Sequence, residues 1–182
     1  MKREDLIALI EGGVPRRGGR WADLGAGEGA FTLALAELVG PDAHIVAVDR
    51  DARALRALDG RCETRVADFT NPLGLRDLDG IVMANSLHFV RDKEPVLRSV
   101  LSMLKPGVGR LIVVEYGADR GNAWVPYPFS YPRWEKMAAQ AGFKGTRLLK
   151  TYPSRWLGYM YSALSEAPSP PRGRGIEGEG RA

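Results

Sequence analysis

Short apolar runs alternate along the chain with longer segments whose apolar residues recur every three or four positions. The strand-length runs lie at residues 20–24, 44–49, 63–67, 80–84 and 110–115. The fourth run, Gly-Ile-Val-Met-Ala, is apolar throughout, which is typical of a parallel strand buried on both faces of a sheet. Strands that alternate with helices predict a parallel, doubly wound α/β fold.

Five segments carry helical patterns. We predict helices at residues 4–11, 30–39, 51–58, about 92–104 and 130–141. In the fourth helix, the apolar residues between Val96 and Leu104 form one stripe, and Pro95 is tolerated in the first turn. Each helix follows or precedes a strand by a short connection, as a layered α/β/α domain requires.

The end of the predicted domain departs from this alternation. Two further strand-like segments, residues 144–152 and 155–165, are separated only by Pro153 and Ser154, so they must pair in antiparallel fashion. The sequence therefore predicts a Rossmann-like, three-layer fold with a seven-stranded mixed sheet and one antiparallel edge strand. Residues 167–182 are rich in Pro, Gly and Arg, and we expect a disordered tail after one domain at residues 1–166.

Composition and charge bear on the partners and the cellular location of the protein. The formal net charge is +4, yet the basic residues are scattered, so a nucleic-acid partner stays open but is not favoured. Cys62 is the single cysteine, which excludes an internal disulfide. No apolar run reaches the roughly 20 residues of a membrane span. We expect a cytoplasmic protein without a membrane partner.

A glycine-rich loop joins the first strand to the second predicted helix. Gly25, Gly27 and Gly29 follow the acid Asp23, and glycine permits both positive φ and close approach of a ligand. The segment also satisfies the dinucleotide pattern G-x-G-x-x-G/A, with Ala30 in the last place. A nicotinamide or flavin enzyme is therefore one interpretation.

Acidic residues around this loop favour a different ligand. Asp23 and Glu28 would place negative charge beside a diphosphate, whereas Asp23 suits a cationic amine. Asp49, 24 residues beyond Gly25, is suited to a ribose. Asp68 and Phe69 offer an acceptor and an aromatic face to an adenine. A ligand with an ammonium, a ribose and an adenine but no phosphate fits all of these features, and S-adenosylmethionine is such a ligand.

In its motifs the chain resembles class I S-adenosylmethionine-dependent methyltransferases of the broad small-molecule type. The matching blocks are residues 23–29, 46–49, 67–69, 84–88 and 104–107, in the family's order. The terminal antiparallel pair also matches the reversed edge strand that marks this fold. The resemblance implies S-adenosyl-L-methionine as cofactor, S-adenosyl-L-homocysteine as product, and a methyltransferase activity.

The resemblance also implies particular cofactor-binding residues. They are Asp23, Gly25, Gly27, Glu28, Gly29, Asp49, Arg50, Asp68, Phe69, Asn85 and Ser86. Asp23 would orient the methionine amino group, Asp49 would accept both ribose hydroxyls, and Asp68 would accept from the adenine amino group. Asn85 and Ser86 would close the methionine side.

The sulfonium activates its own methyl group, so the protein's main task is to position a nucleophile in line with it. A base is needed only for a protonated acceptor. Its candidates are His88, which follows the fourth strand, and then Glu115-Tyr116 at the end of the fifth. No metal-ligand cluster is expected. The aromatic-rich segment 122–134 should select a flat or apolar small molecule, or else cover the sheet edge.

Several alternatives stay open. Methylation of RNA or protein is favoured only by the basic charge. A non-catalytic subunit that binds S-adenosylmethionine is favoured because the chain has few residues beyond the core fold that could form a substrate pocket. About twenty residues precede the first strand, so either the substrate pocket is open or another subunit completes it. A homo-oligomer is therefore a further expectation.

Overall fold

A seven-stranded sheet with the order β3-β2-β1-β4-β5-β7-β6 forms the middle layer of the computed structural model, which describes residues 1–15, 17–154 and 157–170. β1 to β5 are parallel, and β7 is antiparallel to both β5 and β6. The strands are β1 (Gly19–Leu24), β2 (Ala43–Asp49), β3 (Glu63–Val66), β4 (Gly80–Ala84), β5 (Arg110–Tyr116), β6 (Lys144–Ser154) and β7 (Gly158–Glu166). The predicted mixed sheet with its antiparallel pair at one edge is confirmed, with β7 as the reversed strand and β6 outermost.

Helices cover both faces of the sheet. They are α1 (Arg3–Ile10), α2 (Ala30–Val39), α3 (Ala52–Leu55), α4 (Glu94–Met103) and α5 (Tyr131–Ala141), with 3₁₀ turns at Glu11–Gly13, Arg56–Leu58 and Leu87–Phe89. Side chains of α1 and α2 share one apolar core with the sheet, and those of α4 and α5 share another on the opposite face. Every residue of β4 is buried, as its unbroken apolar run predicts. The predicted three-layer α/β/α architecture is thereby confirmed.

The predicted turn between the last two strands is wrong. Pro153 and Ser154 lie within β6 and pair with Tyr159 and Gly158 of β7. β6 is the edge strand, where a proline that lacks an N–H costs no sheet hydrogen bond. Gly158 adopts φ +78°, which suits the end of the turn. Residues 155 and 156, where the sequence predicts the start of the seventh strand, lie outside the described residues.

The packed chain continues past the predicted boundary at residue 166. Ala167 is buried, and its N–H donates to the Gly109 carbonyl at 2.9 Å. The Pro168 carbonyl accepts from the Gly107 N–H at 2.9 Å. Residues 167 and 168 thus belong to the packed domain, and residues 171–182 of the predicted tail lie outside the described part of the chain.

Within the ranges that the structure describes, no helix combines the length and the apolar character needed to cross a membrane.

Candidate active site

The site is built at the carboxyl edge of the parallel strands, where β1 lies between β2 and β4 and the strand order reverses. Ligands of open α/β sheets bind at such a switch point. The glycine loop after β1 lies there, and Gly25, Gly27 and Gly29 have φ values of +82°, +54° and +84°. A side chain at Gly25 would also collide with Ser86, so this glycine allows the residues that follow β4 to lie close to the loop.

Asp49 fixes the shape of the loop. Its Oδ2 accepts from the Gly27 N–H and its Oδ1 from the Asp51 N–H, both at 2.8 Å. A carboxylate oxygen can accept more than one hydrogen bond. Asp49 can therefore hold the loop and still receive the two hydroxyls of a ribose.

A cavity of about 290 Å³ opens beside Asp49, and most of the predicted adenosine-side residues line it. They are Gly25, Asp49, Arg50, Asp68, Phe69, Asn85 and Ser86. The Asp68 Oδ1 accepts from the backbone N–H and the hydroxyl of Thr70, and these bonds lower the pKa of Asp68. Asp68 is thus an ionised acceptor next to the Phe69 ring, as an adenine amino group requires. We call this the adenosine cavity.

A second cavity of about 410 Å³, which we call the methionine cavity, is also lined by residues of the glycine loop. Asp23, Gly27, Phe31 and Asn85 line it together with Leu6 of α1. Asp23 is only 1 % exposed. Burial raises the pKa of Asp23 to about 6, against the opposing effect of the Thr32 hydroxyl, which donates to Oδ2 at 2.6 Å.

Two predicted cofactor residues have other surroundings. Glu28 is exposed and lines neither cavity, and Gly29, the N-cap residue of α2, is buried against Leu58. Ser86 lines the adenosine cavity, but its hydroxyl donates to the Leu24 carbonyl at 2.8 Å and so ties β4 to β1. The structure therefore gives Gly29 and Ser86 a part in shaping the site.

A third cavity has a volume of about 250 Å³, and we call it the acceptor cavity. Asn85, His88, Phe89, Tyr116, Trp124 and Val125 line it. Its lining is mainly apolar and aromatic, with an amide and an imidazole as the polar groups. Burial and the charge of Glu115 raise the pKa of Tyr116, so this phenol stays protonated at neutral pH.

His88 and Glu115 form a buried pair beside this cavity. The His88 Nδ1 lies 2.7 Å from the Glu115 Oε2, and the two residues are 2 % and 0 % exposed. The Glu115 Oε1 accepts from the backbone N–H groups of Leu87 and His88 at 2.9 and 3.1 Å. A carboxylate at Nδ1 favours the tautomer with its proton there, which leaves the lone pair of Nε2 free. Glu115 is thus placed to orient His88.

Asn85 lines all three cavities. It has φ +53°, a left-handed conformation that Asn adopts more readily than most residues. Its Oδ1 is buried and has no hydrogen-bond partner among the described residues. Since a buried acceptor without a donor is costly, this oxygen is suited to an N–H group that a ligand brings.

The aromatic residues of segment 122–134 divide between the two predicted roles, lining a substrate pocket and covering the sheet. Trp124 lines the acceptor cavity and is 73 % exposed, whereas Phe129 and Trp134 belong to the apolar core. On the last strand Tyr161 is also in the core, and Trp156 lies outside the described residues.

Three residues of the site lack a clear signal in the sequence. They are Thr32, which donates to Asp23, Phe89, which lines two cavities, and the buried Lys93, which donates to the Val90 and Tyr127 carbonyls. Thr32 lies in a helix nine residues after Asp23, and this spacing indicates a contact between the two side chains only once the path of the glycine loop between them is known.

Comparison with known proteins finds a matching family model and related sequences. Residues 22–110 match a family model described as a methyltransferase domain. The ubiquinone/menaquinone biosynthesis C-methyltransferase UbiE of Azotobacter vinelandii is 34 % identical over 130 residues, which are 64 % of this chain and 51 % of the relative. The UbiE protein of Pseudomonas savastanoi pv. phaseolicola is 38 % identical over 130 residues, 64 % of this chain and 50 % of its own. The chain thus spans about half the length of these curated relatives.

Solved structures share the fold. A Thermotoga maritima S-adenosylmethionine-dependent methyltransferase, titled a possible histamine N-methyltransferase, has a TM-score of 0.72 at 19 % identity and covers 90 % of this chain and 88 % of its own. The YcgJ protein of Bacillus subtilis has a TM-score of 0.76 at 13 % identity, with coverages of 92 % and 100 %. These likenesses define the fold class as Rossmann-like. The family model and the UbiE relatives make the chain similar in sequence to S-adenosylmethionine-dependent methyltransferases.

Proposed function

We propose that this chain transfers the methyl group of S-adenosylmethionine to a small molecule bound in the acceptor cavity, with His88 as the base. The observation that carries the proposal is the position of Asn85, at which the adenosine, methionine and acceptor cavities meet. A cofactor that occupied the first two cavities would have its sulfonium near Asn85. Its methyl group would then face the third cavity.

The polar groups support this placement of the cofactor. The buried Asp23 carboxylate and the Asn85 Oδ1 would receive the α-ammonium, and Asp49 would receive the ribose hydroxyls. Asp68 and Phe69 would bind the adenine. Asp23 also disfavours the nicotinamide alternative, because a diphosphate in the methionine cavity would lie beside a buried acid.

The reaction needs few protein groups. The His88 Nε2 would take the proton from the acceptor, whose oxygen, nitrogen or activated carbon would form a bond to the methyl carbon. The carbon–sulfur bond would break, sulfur would keep its electron pair, and S-adenosylhomocysteine would leave. The proton on His88 would pass to solvent. The relatives named as C-methyltransferases support carbon as the acceptor atom.

Two experiments test the proposal in sequence. Calorimetric titration with S-adenosylmethionine, S-adenosylhomocysteine and NAD⁺ should give heat with both adenosyl ligands and none with NAD⁺. Methyl-labelled S-adenosylmethionine is then incubated with a panel of small phenols, enols and amines. We expect label in at least one neutral acceptor, and product mass spectrometry assigns the atom that carries it.

Substitutions then test the role of His88. His88→Ala should lower the methyl-transfer rate about 10²–10⁴-fold, the usual contribution of a general base, without weakening cofactor binding. His44→Ala, which changes the chain's other and exposed histidine, is the matched control. A His88→Ala protein as active as the wild type would exclude His88 as the base. Failure of S-adenosylmethionine to bind would contradict the whole proposal.

Location and assembly are part of the proposal and have separate tests. The single cysteine supports a reducing compartment, and we propose the cytoplasm. A homo-oligomer is supported by the open, aromatic rim of the acceptor cavity, where Trp124 is 73 % exposed. Cell fractionation and light scattering test these two points.

A further inference from the structure

The segment from residue 117 to 130, which we call the aromatic loop, joins β5 to α5 and forms one wall of the acceptor cavity. Its tip is a compact turn. The Asn122 Oδ1 accepts from the N–H groups of Trp124 and Val125 at 2.9 and 2.8 Å, and the Asn122 N–H donates to the Val125 carbonyl at 3.0 Å. These bonds are internal, so they shape the tip but do not fix its distance from the rest of the site.

Contacts at Tyr127 connect the loop to the segment that carries His88. The Tyr127 N–H donates to the His88 carbonyl at 3.0 Å. The Tyr127 carbonyl accepts from the Lys93 ammonium at 3.0 Å, and the same ammonium donates to the Val90 carbonyl at 2.7 Å. Both backbone polar groups of Tyr127 are therefore bound to residues 88–93, a segment whose first two residues, His88 and Phe89, line the acceptor cavity.

Lys93 is unusually placed for a lysine. It is only 7 % exposed, and its Nζ lies 5.0 Å from the centroid of the Phe129 ring. Burying an ammonium is costly unless carbonyls and aromatic faces replace its water, and Lys93 has both. Lys93 is also the N-cap residue of α4, where a positive charge opposes the helix dipole. Helix stability therefore does not account for this lysine, whereas its contacts to the loop do.

We propose that Lys93 is a positioning residue for acceptor binding, because it holds the aromatic loop against the His88 segment and so sets the width of the acceptor cavity. Lys93 itself does not line that cavity. Its effect passes through Tyr127 to Trp124 and Val125 on one side and through Val90 to the His88 turn on the other. The acceptor part of this inference rests on the proposed function, and the loop part does not.

Amide hydrogen exchange in the presence of S-adenosylhomocysteine tests the loop part. Lys93→Met keeps the apolar stem and removes the ammonium, Lys93→Arg keeps the positive charge, and Lys136→Met is the control at an exposed lysine of α5. In Lys93→Met we expect the Tyr127 amide to exchange about tenfold faster or more, since charge-assisted bonds that hold its peptide are lost. The Val125 amide, bound within the loop, should change much less. Lys93→Arg should restore most of the protection.

Kinetics test the acceptor part with whichever acceptor the labelled panel yields. Lys93→Met should raise the acceptor KM about tenfold while kcat and the affinity for S-adenosylmethionine stay near the wild-type values. A purely structural role would instead speed exchange throughout the sheet and weaken cofactor binding.

Three outcomes would overturn the inference: unchanged Tyr127 exchange in a folded Lys93→Met protein, uniformly faster exchange, or an unchanged acceptor KM. A wild-type protein that binds the cofactor but methylates nothing would instead contradict the proposed function. Hydrogen exchange at Tyr127 would then still decide whether Lys93 holds the loop.

Discussion

The buried acid at the end of β1 gives the sharpest physical prediction. Asp23 is 1 % exposed, and burial raises its pKa from the ordinary value of an aspartate to about 6. The negative charge of Asp49 adds to the rise, and the Thr32 hydroxyl reduces it. A rise of about two units corresponds to about 3 kcal/mol. The cofactor-free protein therefore carries that cost whenever Asp23 is ionised.

Asp23→Asn should remove this cost. Asparagine has nearly the same shape, and its Oδ1 can still accept from Thr32. At pH 7.5 we expect the free energy of unfolding to rise by about 2–3 kcal/mol, which is about 4–12 °C in Tm for a domain of this size. Chemical and thermal denaturation of the cofactor-free protein measure both quantities.

The pH dependence fixes the sign of the effect. Between about pH 4 and 6 the folded protein holds a proton on Asp23 that the unfolded chain has lost, so Asp23 makes stability fall as pH rises through this range. The advantage of Asp23→Asn should therefore be about a third of its full size at pH 4.5 and reach its full size above pH 7. Asp42→Asn, at an exposed acid, makes the same charge change and should show no such trend.

Cofactor binding should respond in the opposite direction. S-adenosylmethionine should stabilise the wild type in proportion to the logarithm of its concentration, and it should stabilise Asp23→Asn far less. The reasoning would be refuted by an Asn variant that is less stable than the wild type at pH 7.5, or by one that binds the cofactor equally well.

Three further changes have definite outcomes. Asp49→Ala should abolish detectable calorimetric binding of S-adenosylmethionine, because it removes the acceptor of the Gly27 N–H as well as the proposed ribose contact. Glu115→Gln should lower the methyl-transfer rate with little change in cofactor affinity, since it weakens the carboxylate that orients His88. Gly80→Ala should lower the free energy of unfolding by about 1–3 kcal/mol in denaturant titration, because its methyl group would meet the buried Trp21 ring; Gly12→Ala, with an ordinary contact, is its control.

Much of the fold follows from local patterns in the sequence. β4 and α2 have the predicted bounds, because an unbroken apolar run and a helical stripe each end at residues that stop them. The glycine loop is equally local, since positive φ at every second position demands glycine. The predicted turn at Pro153 is wrong because a proline ends a strand only where the sheet needs an N–H group at that position. In the outermost strand β6 it does not, and the sequence alone does not show that β6 is outermost.

The candidate site is predictable only in part. Neighbouring parallel strands end at the same edge, so the proximity of His88 and Glu115 follows from the topology. Their direct bond does not, because it depends on the 3₁₀ turn Leu87–Phe89 that also brings two N–H groups onto the carboxylate. Lys93 is further from prediction, since its partners are backbone carbonyls that any residue at 90 and 127 would supply.

The two buried acids of the site stand in contrasting surroundings, and the contrast matches the charges of the reaction. Glu115 receives three hydrogen bonds, so it adds no free acceptor to the apolar acceptor cavity. Asp23, in the methionine cavity, is costly to ionise because it is buried, and its bond from Thr32 offsets only part of that cost. The α-ammonium is the same in S-adenosylmethionine and in S-adenosylhomocysteine, so the contact proposed for it with Asp23 would be uniform binding and would lower no barrier. The positive charge of the sulfonium disappears when the methyl group is transferred. Because the acceptor cavity has no free carboxylate among its described lining residues, it does not stabilise the charged S-adenosylmethionine relative to the neutral thioether of S-adenosylhomocysteine. In the proposed function, Asp23 therefore contributes to cofactor affinity and His88 to the rate of methyl transfer.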